Sequence, residues 1–125
     1  MQSEPSLLSL RDQLRAFAEE RDWNQFHSPK NLAMALIAEA GELVEHFQWL
    51  TEAQSQQLSD EQREQVAHEL ADVLLYLIRL SDRLDIDLAQ AAADKMLINA
   101  RKYPADQARG SSKKYTAYQP TQAKD

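Results

Sequence analysis

E-A-G-E-L-V-E-H-F-Q-W, residues 39–49, and H-E-L-A-D-V-L-L-Y-L, residues 68–77, decide how this chain is read. The first carries Glu39 and Glu42, the second Glu69 and Asp72, each pair three residues apart in an otherwise apolar run. Residues three apart share one face of a helix. Each segment therefore projects two carboxylates in one direction, and two such helices packed together bring four to one place. Four carboxylates in a partly buried site raise one another's pKa values or unfold the site unless a cation sits among them. A hard, oxygen-seeking ion such as Mg²⁺ suits that donor set, and Mg²⁺ usually arrives with phosphates. The competing reading is a solvated helix face, the ordinary meaning of a single E-x-x-E in a chain with 27% charged residues. Two pairs set among Leu, Val and Ala fit that reading less well.

Outward from these pairs the pattern is helical throughout, with no convincing strand. A first helix is expected over about 5–22, with Leu7, Leu10, Leu14 and Phe17 on one stripe. Ser28-Pro29 is an N-cap followed by proline at the first helical position, which starts a second helix running to about 51. Residues 52–58 read as a polar linker. Ser59-Asp-Glu-Gln62 is a capping-box pattern opening a third helix to about 84. Asp87 repeats that logic for a fourth, ending near Tyr103 before Pro104. The fold class is therefore all-α, a four-helix bundle over residues 1–108 followed by a polar tail, 109–125. Residues 73–78, V-L-L-Y-L-I, are apolar around nearly the whole circumference. Such a helix is buried on all sides, either at the centre of a monomer or, as the surplus apolar surface favours, at an interface between subunits.

The bulk numbers narrow the function classes. A chain of 125 residues with 43% hydrophobic residues supports one domain with a core. Twenty acidic against 14 basic residues give a net charge of −6, which argues against nonspecific nucleic-acid binding. The absence of cysteine excludes disulfides, zinc–thiolate sites and cysteine nucleophiles. No signal-peptide pattern and no membrane-length apolar run are visible, so a soluble, cytoplasmic protein is expected, with neither nucleic acid nor membrane as partner. Di-iron bundles also collect carboxylates, but through Glu-x-x-His. Here Asn24, Leu43 and Gln65 precede His27, His46 and His68 by three. His46 and His68 are thus expected at the surface or behind the ligands.

Two further groups accompany the acidic pairs. Lys95, Asn99 and Lys102 fall on one face of the fourth helix, able to hold phosphate oxygens or simply to complement the helix end. Trp23 lies in the polar connection R-D-W-N-Q-F-H, where core packing is less automatic, and flat rings stack on nucleobases.

These stretches, with R-D-W-N-Q-F-H-S-P-K-N-L, D-K-M-L-I-N-A-R-K-Y-P and S-S-K-K-Y-T in order, resemble the MazG-like, all-α nucleoside triphosphate pyrophosphatase superfamily, and within it the dCTP-hydrolysing branch. The signature is E-x-x-E, a spacer of 26 residues here, then E-x-x-D. The resemblance implies a helical bundle assembling as a homotetramer, a dimer of dimers. It implies Mg²⁺-dependent hydrolysis of a (deoxy)nucleoside triphosphate, dCTP or a modified dCTP, to monophosphate and pyrophosphate. Glu39, Glu42, Glu69 and Asp72 match the metal ligands. Trp23, His27, Trp49 and Tyr76 match positions lining the nucleotide pocket, and Lys95, Asn99, Lys102 and Tyr103 match the C-terminal substrate-binding segment. Glu39 or Glu42 would position and deprotonate the attacking water. Leu14, Leu97 and Ala100 depart from the family pattern and bear on base preference. A nucleotide-sensing regulator or a structural helical module is the alternative.

Overall fold

The structure is a computed structural model and describes residues 4–118. All four expected helices form, and no strand occurs among the described residues. Helix α1 spans Leu7–Glu20, α2 Pro29–Glu45, α3 Glu52–Ser55, α4 Asp60–Arg83, α5 Leu88–Lys102 and α6 Ala105–Ala108. Short 3-10 turns occupy Asn24–Phe26 and Tyr115–Ala117. None of these helices is long and apolar enough to cross a membrane. The residues fall into two compact units that divide between Ile86 and Asp87.

The starts follow the side-chain chemistry. Ser28 accepts from the Asn31 amide with Pro29 in the first turn of α2, and Ser59 and Gln62 cap α4 reciprocally. Asp87 accepts from the Gln90 amide to open α5. The one segment read as a linker that proves helical is α3. Thr51 and Gln54 form the same reciprocal box there, a signal hidden by the Gln- and Ser-rich composition. Correspondingly, α2 ends at Glu45 rather than near 51. Its ladder tightens into three-residue steps, His46 N–H to Leu43 and Phe47 N–H to Val44.

Two ends share an unusual solution. After α1, the Trp23 amide donates to the Ala18 carbonyl and the Asp22 amide to that of Glu19; after α4, Ile86 donates to Ser81 and Asp85 to Asp82. Both are Schellman motifs, and both place aspartate rather than glycine in the left-handed region, with φ of 55° at Asp22 and Asp85. The first motif puts Trp23 where its ring meets Phe17 edge-on, centroids 5.6 Å apart.

In the first unit, α4 is the common partner. It packs along α2 and against α1. Ala18 of α1, Leu32 of α2, and Val66 and Ile78 of α4 are buried apolar side chains of this unit. The expectation that the third helix is buried all round is not met within the chain. Leu70, Leu74 and Leu77, at i, i+4 and i+7 of α4, stay substantially exposed.

Gly41 lies inside α2 with open space where a Cβ would stand. Glycine costs a helix interior roughly 1 kcal/mol relative to alanine. Gly41→Ala is expected to raise stability by about that amount in a denaturant titration; an unchanged midpoint would show that the helix is held there by something other than its own propensity.

Candidate metal centre and adjoining aromatic cavity

Helices α2 and α4 bring three of the four expected carboxylates together. Oxygens of Glu39, Glu69 and Asp72 all lie within 4.8 Å of one another. Glu42, one turn along α2, is exposed and stands outside that triad, against Glu39. Oε2 of Glu39 and Oε2 of Glu69 are buried and have no hydrogen-bond partner among the described residues. A buried anionic oxygen with no donor is costly. Converging carboxylates, two of their oxygens buried without a donor, fit a hard divalent cation, which Glu39, Glu69 and Asp72 would hold with Glu42 alongside. Behind them, His46 Nε2 lies 3.6 Å from Glu69 Oε1, as expected of a residue supporting a ligand.

The electrostatics agree. Burial, foremost, raises the pKa of Glu39; hydrogen bonding to Glu42 and the charges of Glu42, Asp72 and Glu69 raise it further.

Against this centre opens a cavity of about 210 Å³, lined by Leu14, Phe17, Trp23, His27, Asp72 and Tyr76, with Leu75 and Arg79 also on its wall. Asp72 therefore belongs to both the acidic triad and the cavity. Trp23, His27 and Tyr76 are brought together on its wall. His27 stands edge-on to Trp23, centroids 6.1 Å apart. Trp49 is 86% exposed and does not line this cavity. In the second unit, Lys95, Asn99 and Lys102 follow one face of α5, and the Tyr103 amide caps the helix on the Asn99 carbonyl.

Arg79 is the residue that sequence reasoning passed over as a site member. It shares the line of Glu69, Asp72 and Tyr76 on α4 and is buried, 5% exposed. Its Nε donates to His27 Nδ1 at 3.1 Å and its Nη2 to Asn24 Oδ1, while Nη1 lies 3.7 Å from Asp82 Oδ2. Asp82 is held in turn by Arg15, which keeps its carboxyl below the usual range. The signal was present: an arginine inside Y-L-I-R-L must find partners if the helix is packed.

Residues 35–117 match the model of the MazG-like family. The chain belongs to that family. It is similar to dCTP pyrophosphatase 1 of Homo sapiens, 50% identical over 90% of this chain and 68% of that protein, and to that of Bos taurus, 47% identical over 91% and 69%. Among solved structures, a pyrophosphatase from Archaeoglobus fulgidus superposes with a TM-score of 0.75 at 37% identity, covering 83% of this chain and 97% of its own. All three are named as pyrophosphatases, and the chain shares the fold of the Archaeoglobus fulgidus protein.

Because the folded state raises the pKa of Glu39, it binds a proton that the unfolded chain releases. That contribution is complete below the ordinary value of 4.5 and is lost as pH rises through the raised one. Metal-free protein should therefore lose melting temperature as pH climbs above about 4.5, and Glu39→Gln should flatten that decline. At neutral pH, Mg²⁺ should raise the melting temperature of the wild type and not of Glu39→Gln. Equal Mg²⁺ stabilisation of both would remove Glu39 from the metal centre.

Proposed function

We propose that this MazG-like chain hydrolyses (deoxy)nucleoside triphosphates to the monophosphate and pyrophosphate, with dCTP or a modified dCTP as substrate and Mg²⁺ as cofactor. The observation that carries this reading is the junction at Asp72, where a three-carboxylate cluster meets an aromatic cavity. A triphosphate tethered to a base needs both, side by side. The names of the relatives point to the same substrate.

The bound metal would screen the phosphate charge. The chain's own groups do the rest. The cavity takes the base among Trp23, His27 and Tyr76, excluding water from its faces. Glu42, outside the triad and beside Glu39, takes a proton from water as the water oxygen bonds to the α-phosphorus. The bond from that phosphorus to the α–β bridging oxygen breaks, and pyrophosphate leaves with the bonding pair. Lys95 and Lys102 are assigned to the charge that develops on the departing pyrophosphate, Asn99 and Tyr103 to substrate binding, and Trp49 to the nucleotide pocket.

The exposed leucines of α4, with Ile37 and Val44 of α2, support a homo-oligomer, read here as a tetramer built from dimers, in the cytoplasm. Light scattering on purified protein should return the mass of four chains, and Leu74→Glu should lower it; a monomeric wild type would end this part of the reading.

The decisive assay is pyrophosphate release from each common dNTP and NTP and from 5-methyl-dCTP, with and without Mg²⁺. Release should require Mg²⁺ and be fastest with the cytosine deoxynucleotides. Asp72→Asn should cut turnover by about two orders of magnitude or more, with helical content intact. Near-normal turnover in that variant would reject the site.

A further inference from the structure

His27 enters the cavity with one nitrogen already spoken for. Arg79 donates its Nε–H to His27 Nδ1 at 3.1 Å. A guanidinium has only donors and keeps its proton in proteins. The bond therefore requires the lone pair of Nδ1, and the neutral imidazole must carry its proton on Nε2, across the ring from the arginine. The tautomer is fixed by a residue of α4 acting on a residue of the connection before α2.

The clamp is built, not incidental. Arg79 is itself buried, and its second donor goes to Asn24, three residues before His27. Arg83, one turn on, donates to the His27 carbonyl at 3.1 Å and fixes the backbone from the same helix. Asp82 takes up the remaining side of the guanidinium and is anchored by Arg15 of α1. Asp72 is the acidic group on the wall of the same cavity. Burial first, then the charges of Arg79 and Arg83, lowers the pKa of His27, which favours the neutral ring.

We propose that Arg79 is a specificity-positioning residue: it holds His27 as a neutral Nε2–H donor and thereby selects a base that offers that donor a hydrogen-bond acceptor, a ring carbonyl oxygen or an unprotonated ring nitrogen. Apart from Asp72, Arg79 and the hydroxyl of Tyr76, the cavity wall beside His27 is mainly apolar, with Leu14, Phe17, Leu75 and the ring of Trp23 offering surface for a flat ring but few polar groups to orient it. One fixed donor in such a wall discriminates strongly, because a base presenting its own N–H there leaves two donors facing each other. Cytosine, with its carbonyl oxygen and bare ring nitrogen side by side, satisfies that donor in either of two adjacent placements. This inference rests on the proposed function for the identity of the ligand, but not for the state of His27.

The test separates the two. Full-length protein labelled with ¹⁵N-histidine, studied by NMR without nucleotide, should show His27 as the Nε2–H tautomer from pH 6 to 8. Arg79→Met should give mixed tautomers and a higher apparent pKa. With dCTP, Arg79→Met should raise KM about tenfold, the scale of one lost hydrogen bond, with kcat within about threefold. Arg79→Lys, which keeps the charge and one donor, should recover most of the loss. Should Arg79→Met fail to fold, Asn24→Ala removes the second anchor alone and should shift the same resonances in the same direction. A wild-type His27 protonated on Nδ1, or resonances and KM unmoved by Arg79→Met, would overturn the proposal. Wild-type protein that releases pyrophosphate from no nucleotide would sink the base-selecting role along with the proposed function, while the resonances would still decide what Arg79 does to His27.

Discussion

Like charges forced into one place are the constraint on which this structure turns. Glu39, Glu69 and Asp72 gather on facing sides of α2 and α4, two of their oxygens buried without a donor. Left to itself this arrangement opposes the packing of the two helices that form it, because each carboxylate is desolvated next to another. The packing is supplied by residues on either side: Leu32 on α2, and Val66 and Ile78 on α4. Apolar contact holds the helices at a separation that the carboxylates alone would not choose. Cation affinity is then the release of repulsion already built into the fold.

Charge is balanced differently at the other end of the same helix line. Arg79 is as buried as the glutamate oxygens, yet its donors are spent on Asn24, His27 and Asp82. One end of the site is thus electrostatically open and the other closed. The open end is suited to recruiting a metal and phosphates; the closed end is suited to holding its shape while a ligand comes and goes.

Much of this was legible in the sequence, for identifiable reasons. Helix caps are local chemistry, so Ser28, Ser59 and Asp87 placed the starts of three helices within a residue. The i, i+3 carboxylate pairs were legible because periodicity converts spacing into direction. Three things were not. Thr51–Gln54 closes a four-residue helix on its own, too short to show any apolar period. The left-handed turns at Asp22 and Asp85 use a residue that usually signals a helix start, not a helix end. The partnership of Arg79 with His27 joins residues 52 apart, and no local pattern encodes a contact at that separation. Trp49 is exposed and stands off the aromatic cavity of its own chain, because aromatic identity says what a ring can do and not where the chain turns it.

A single feature of α4 sets how this site tolerates change. Glu69, Asp72, Tyr76 and Arg79 share one line down the helix, so ligand, cavity wall and clamp are all set by the rotation of one rod. Each residue added to a helix turns everything beyond it by about 100°. An insertion or deletion of one residue between 69 and 79 would carry part of the line off the site at a stroke. The same edit between α3 and α4 would be absorbed by the connection. A change of length is therefore tolerated in the connections of this chain and not within α4 between residues 69 and 79.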